Sequence, residues 1–302
     1  MMHFDDIGDD ELRVIGGSKR SAIHRRRWWI AALATLGVAL LSLLVWWWVA
    51  APAVEHEPTY FEPIPTPEVE LAPEPLRPLS QLDGEPERGF TELRDTTIND
   101  IPLRIYIPHR AALSLHVGRV DKRDTTILYV AQAADIRADN GKIVGAFVLA
   151  GRPLAWGLSK RGYCASIEGR VTVGVADNSP LFEEATEKGG YFFRQFPLVQ
   201  EGVLVEEAPK GKSIRRAICQ RVGETFMVES LTPESFHDFA QALVDLGVEQ
   251  AISLVGGSAY GWAVDADGTR HEFGDENYYT SRRLRMPRNT SYLVWKRKFL
   301  MM

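Results

Sequence analysis

Cysteine is nearly absent: Cys164 and Cys219 are the only two in 302 residues. Neither belongs to a Cys-x-x-Cys pair and the histidines are scattered, so the spacing of a zinc site is missing. The two thiols can pair in an oxidising compartment or stay apart as buried side chains. No Gly-Lys-Ser/Thr follows Gly256-Gly257, which excludes a phosphate-binding P-loop there. Ser258 does not sit in a Gly-x-Ser-x-Gly elbow, which argues against a covalent serine hydrolase. A formal net charge of −5 leaves no electrostatic footprint for nucleic acid. Acidic residues stop at Glu276, while Arg282, Arg283, Arg285, Arg288, Lys296, Arg297 and Lys298 accumulate after it. That basic end is either a solvated face or a surface for anionic lipid, an acidic glycan or a protein.

Charge is also missing from residues 28 to 50, WWIAALATLGVALLSLLVWWWVA. As a helix at about 1.5 Å per residue the run is roughly 34 Å long, enough to cross a hydrocarbon core of about 30 Å. Trp28 and Trp29 mark one end and Trp46, Trp47 and Trp48 the other, as interfacial belts do. Lys19, Arg20, Arg25, Arg26 and Arg27 precede it, which places the amino end in the cytoplasm and the rest across the membrane. The run is too long for a signal-peptide core of about 7–15 residues. The expectation is a single retained anchor in a bacterial inner membrane, with the main domain periplasmic.

Four segments result. Residues 1–27 form a cytoplasmic tail without apolar periodicity. Residues 28–50 are the anchor. Residues 51–84 are a stalk in which Pro52, Pro58, Pro63, Pro65, Pro67, Pro73, Pro75 and Pro78 alternate with glutamates, a composition that blocks helix and sheet and extends the chain. Residues 85–302 are the extracytoplasmic domain. Its texture is short strands, expected at Leu103–Ile107, Leu113–Val117, Thr126–Val130, Ile143–Leu149, Arg170–Val175, Gly202–Val205, Arg216–Arg221, Thr225–Val228 and Ala251–Leu254. Asn140-Gly141, Glu168-Gly169 and Asp267-Gly268 read as hairpin turns. One helix is expected, capped by Thr232, with Phe236, Phe239, Ala240, Leu243, Val244 and Leu246 on its apolar face and Gly247 ending it. The fold class is α+β: a twisted mixed β-sheet domain with few helices, preceded by a single transmembrane helix.

Between Leu128 and Phe273 the order of features is distinctive. Arg215, Arg216, Ala217, Ile218 and Cys219 open a strand. A turn at Gly223, the strand Phe226, Met227, Val228 and a helix approach from Glu229 to Phe239 come next. The closing strand runs Ala251, Ile252, Ser253, Leu254, Val255 into Gly256, Gly257 and Ser258. This order resembles the phosphodiester glycosidase family. The resemblance implies that Arg215 falls on the family's arginine and holds an anion, and that Ser253 and the loop Gly256, Gly257, Ser258 line a ligand site. It also implies an amide at Gln132, where Gln132, Ala133 and Ala134 stand in place of the family's asparagine, small residue and glycine. The loop departs from the family pattern at Val255, which replaces an aspartate.

Cleaving a sugar–phosphate diester needs an acid or base, donors for the phosphate and a pocket for the sugar. Glu229, at the end of an apolar strand, is the candidate acid or base, and His237 can titrate near neutrality. Adjacent Arg215 and Arg216 point to opposite faces of a strand; Arg215 is taken as the cleft residue and Arg216 as the surface one. Gly256 and Gly257 can bring backbone amides to a phosphate, with Ser258 and Tyr260 as hydroxyl donors. No metal is assigned, since Asp135 and Asp139 lack further ligands, and no cofactor is identified. The resulting expectation is a membrane-anchored periplasmic hydrolase of sugar–phosphate diesters in an envelope polysaccharide. The alternative is a non-catalytic glycan-binding or scaffold subunit of a cell-envelope complex.

Overall fold

The computed structural model describes residues 77–82, 84 and 86–298, together with Gly37, residues 40–43 and Trp46. The expected tail, most of the anchor and the stalk up to residue 76 lie outside the described residues. Among the described residues no helix is long and apolar enough to cross a membrane. The chain divides into two compact units, residues 1–71 and 72–302.

Three antiparallel sheets build the second unit. The first has seven strands: β1 (Phe90–Ile98), β2 (Ile101–His109), β10 (Pro197–Gln200), β11 (Val203–Leu204), β12 (Arg216–Arg221), β13 (Glu224–Ser230) and β14 (Gln250–Leu254), in the order β1-β2-β13-β12-β14-β10-β11. The second is β16-β15-β4-β17-β3, from β3 (Ala111–Val117), β4 (Ile127–Gln132), β15 (Gly261–Val264), β16 (Arg270–Phe273) and β17 (Ser291–Arg297). The third is β6-β5-β9-β7-β8, from β5 (Ala146–Leu149), β6 (Arg152–Trp156), β7 (Gly162–Ile167), β8 (Arg170–Val175) and β9 (Tyr191–Gln195). The helices are α1 (Leu181–Glu187), α2 (Phe236–Asp245) and α3 (Tyr278–Ser281). The α+β expectation with few helices holds, but the sheets are not mixed: every strand pairing here is antiparallel. Hairpins need only short links, whereas parallel neighbours need crossovers of a dozen or more residues, usually helical.

The seven-stranded sheet is buried on both faces. Alternate residues Ala217, Cys219, Phe226, Val228 and Ala251 pack under Phe239, Ala240 and Leu243 of α2. Their neighbours Ile218, Met227 and Ile252 face the core shared with the other two sheets, represented by Leu128, Tyr129, Leu293, Phe147 and Phe193. Strand periodicity of two therefore gives two apolar faces, not one. Cys164 and Cys219 are free and buried, and belong to different cores. Burial pushes both thiols up, so they stay protonated.

Helix α2 begins later than the sequence suggests. Ser235 is the cap, its hydroxyl accepting from the Asp238 amide at 3.0 Å. Thr232 cannot serve, because Glu234 is held extended by paired backbone bonds to Ser213. Gly247 closes the helix at φ 83°.

The folded unit also begins earlier than residue 85. Leu79 is buried at 7% exposure. Its amide donates to Glu224 Oε2 at 2.8 Å and its carbonyl accepts from Arg94. Glu92 takes the Ser80 hydroxyl at 2.8 Å, the Gln81 amide at 3.2 Å and a His109 nitrogen at 2.9 Å. Burial alone would raise the Glu92 carboxyl, but the His109, Gln81 and Ser80 hydrogen bonds outweigh it and hold the group below the ordinary glutamate range. A depressed carboxyl contributes stability above its unfolded pKa and loses it as pH falls through the folded one. Thermal melts of wild type and Glu92→Gln should therefore differ at neutral pH and converge below about pH 4. A gap that stays constant with pH would refute the role of the charge.

Candidate functional site

The sequence-adjacent arginines at the start of β12 part to opposite faces, in the reverse of the expected assignment. Arg215 lies on the α2 side, its guanidinium 3.7 Å from the Phe236 ring centre and its Nε donating to the Glu234 carbonyl at 2.8 Å. Arg216, expected at the surface, is 2% exposed, and Glu229 beside it is 5% exposed. The register pairs Arg216 with Glu229, and Glu229 with Arg104 on the far side. Arg216 Nε reaches Glu229 Oε1 at 2.8 Å, and Tyr106 donates its hydroxyl to Oε2 at 2.7 Å. Burial first, and the Glu229 charge second, raise the Tyr106 phenol, so it remains a donor.

Arg216 also holds the glycine loop. Its Nη1 donates to the Ala259 carbonyl at 2.9 Å and the Val255 carbonyl at 3.3 Å, and its Nη2 approaches the Gly257 carbonyl at 3.4 Å. The Phe273 ring lies 4.7 Å from the guanidinium carbon. A rigid planar fork with several donors suits this task in a way a lysine would not.

Outside that loop lies a cavity of about 470 Å³. The loop contributes Val255, Gly256, Ser258 and Tyr260, and β4 contributes Gln132. Aromatic rings also line it: Tyr278, Tyr279, Tyr292 and Trp262. The charged residues of the lining are Arg119, Lys122, Asp275 and Glu276. Lys122 lies 4.4 Å over the Tyr260 ring and pairs with Glu276 at 2.5 Å and Glu272 at 3.4 Å. Burial would lower the Lys122 ammonium, but Glu276, Tyr260 and Glu272 hold it up, so it keeps its charge. Burial pushes the Tyr260 phenol up to about 12. The site thus offers aromatic faces, neutral hydroxyls and cations side by side. Among the described residues no group of histidine, cysteine and acidic side chains could hold a metal ion.

Of the expected site residues, the fold brings together Gln132, Gly256, Ser258 and Tyr260 on the cavity wall. Glu229 and Arg215 do not join them: Glu229 is enclosed between Arg216 and Tyr106, and Arg215 faces α2. His237 is exposed on α2, bonded to Glu206 at 2.7 Å. Ser253 is buried, its hydroxyl 3.4 Å from Gln195 Oε1. Gln195 also accepts from Lys160 at 2.8 Å, and Asp135 pairs with that same lysine. The Gly257 amide, expected to meet a phosphate, donates to the Ile214 carbonyl at 2.8 Å. Sequence reasoning does not single out Arg216, Tyr106, Lys122 or the tyrosines at 278 and 279. The one signal for the last two is a tyrosine pair just before the basic stretch.

No protein-family model matches the chain, and no curated protein matches it in sequence. Solved structures do. The catalytic domain of zebrafish N-acetylglucosamine-1-phosphodiester α-N-acetylglucosaminidase, auto-inhibited by its pro-peptide, is 15% identical and superposes with a TM-score of 0.51, covering 73% of this chain and 86% of that one. A hypothetical protein from Synechocystis is 13% identical with a TM-score of 0.47, covering 71% of this chain and 64% of that one. The first likeness supports a distant resemblance in fold to a phosphodiester glycosidase.

Proposed function

We propose that the protein binds sugar phosphodiesters of the cell envelope in the cavity behind the glycine loop, as a recognition subunit and not as a hydrolase. The observation that carries this is the cavity itself, where aromatic faces suited to a sugar ring adjoin Arg119, suited to its phosphate. At about 470 Å³ it matches small-ligand sites of about 300–1,000 Å³. The resemblance to a domain acting on N-acetylglucosamine-1-phosphodiesters supplies the ligand class. Recognition is preferred to turnover because both oxygens of Glu229 are already engaged, and a general acid or base needs hydrogen-bond reach to its substrate. Envelope placement rests on the uncharged run at 28–50 and its basic flank. Support comes from Leu40, Leu41 and Leu43, which are helical and exposed. In this reading the amino end is cytoplasmic and the domain periplasmic.

The test is a titration of the detergent-solubilised full chain with the methyl phosphodiester of N-acetylglucosamine-1-phosphate, read by calorimetry, with sugar release followed in parallel. Saturable binding that Tyr278→Ala weakens about tenfold, without release, is expected. No binding, or binding indifferent to Tyr278→Ala, would overturn it. A second reading, hydrolysis, draws on Asp275 and Glu276, whose carboxylates line the same cavity. Sugar release that Glu276→Gln abolishes would establish that reading instead.

A further inference from the structure

The segment after α3 carries Arg282, Arg283, Arg285 and Arg288, all exposed. None forms an ion pair with a described residue, and no acidic side chain occurs between 277 and 298. Four like charges in so short a loop repel one another, and an anionic partner removes that penalty. The loop is joined to the cavity. The Arg282 guanidinium lies 4.3 Å from the ring centre of Tyr278 and 3.1 Å from its hydroxyl, and Tyr278 is cavity wall, as is Met286. On the other side the Gly118 amide donates to the Thr290 carbonyl at 2.8 Å, which sets Arg119, also exposed and on the cavity, beside the end of the arginine loop. Lys122 in the same lining is already neutralised by Glu276 and Glu272. The arginines are the cations left for charges outside the cavity.

We infer that this loop is a docking ledge for an anionic polysaccharide whose charges recur along the chain, so that several repeats lie across the arginines while one enters the aromatic cavity. Only that last repeat depends on the cavity reading given above. Arginine forks donate paired hydrogen bonds to phosphate or carboxylate oxygens, which a repeating anionic polymer supplies. A glycan is favoured over a lipid surface on two grounds. The ledge leads directly into an aromatic-walled cavity. It also offers one exposed aliphatic side chain, Leu284, where interfacial binding needs a broad apolar face.

The experiment uses the full chain in zwitterionic detergent with three probes: a poly(N-acetylglucosamine phosphate) of several repeats, its single-repeat methyl phosphodiester, and vesicles of phosphatidylglycerol in phosphatidylcholine. The polymer should bind tighter than the single repeat, with affinity falling steeply as salt is added. The variant carrying R283Q, R285Q and R288Q, which leaves the Arg282 contact with Tyr278 in place, should weaken polymer binding about tenfold or more and leave single-repeat binding unchanged. Its thermal midpoint should match wild type, since the substituted side chains are exposed. Equal affinity for polymer and single repeat, or polymer binding untouched by the three substitutions, would overturn the ledge. So would arginine-dependent binding to the vesicles in place of the polymer. If the single repeat fails to bind while the polymer still requires the arginines, the cavity reading falls and the ledge stands.

Discussion

Arg216→Ala is expected to destabilise the domain by about 3–5 kcal/mol, because it strands the buried Glu229 carboxylate without its counter-charge. Denaturant unfolding of wild type and variant measures this directly. The same substitution releases the carbonyls of Val255, Gly257 and Ala259, so ligand affinity should fall with stability. Two controls separate charge from volume. Arg216→Met combined with Glu229→Leu removes both charges and should recover much of the loss, as apolar replacements of buried pairs often do. Arg215→Ala removes a half-buried cation stacked on Phe236 and should cost only about 1 kcal/mol. If Arg215→Ala proved as damaging as Arg216→Ala, the assignment of the two side chains to opposite faces would be wrong.

Gly256→Ala should be the most damaging change in the loop itself. A β-carbon there would lie 2.1 Å from the Ile214 carbonyl oxygen, a backbone atom that already accepts the Gly257 amide. It cannot rotate away as a side chain would, so the loop must lift off the approach to β12. A cost of about 3 kcal/mol, at the upper end of ordinary overpacking, is expected, together with loss of ligand binding. Gly257→Ala makes a useful contrast. Its φ of 60° disfavours a side chain, but the nearest atom is the movable Ser213 hydroxyl at 3.1 Å. About 1 kcal/mol is expected there. Equal melting temperatures for Gly256→Ala and wild type would show that the close approach is not maintained in solution.

Much of the fold was legible from local chemistry. The strands Arg170–Val175 and Arg216–Arg221 fall where alternation and β-branched residues place them. Glu168-Gly169, both at positive φ, turns β7 into β8. β1 carries no apolar alternation, because its sequence FTELRDTTI is largely polar, as an edge strand can be. Its turn uses Asn99-Asp100, both at positive φ without a glycine. The cavity was half legible. The glycine loop and Gln132 were visible through the resemblance to phosphodiester glycosidases, which rests on the order of β12, β13, α2 and β14 with the loop that follows. Lys122 comes from the loop before β4, while Glu276 and the tyrosines at 278 and 279 come from α3 and its approach about 150 residues later, and no periodicity links the two. The arginine pair was ambiguous for a different reason: with both faces of the central sheet apolar, alternation shows that the two side chains diverge but not which one enters the shared core.

The fastening of residues 79–81 has a mechanical consequence. Tension applied to the chain ahead of Leu79 would be taken up by Glu92 and Arg94 on β1 and Glu224 on β13, all in the seven-stranded sheet. Gln132, Trp262 and Tyr292, which line the cavity, belong to a different sheet. In the anchored, sugar-binding reading proposed above, load from the membrane would strain that fastening before it reached the pocket, leaving the grip on a bound sugar insulated.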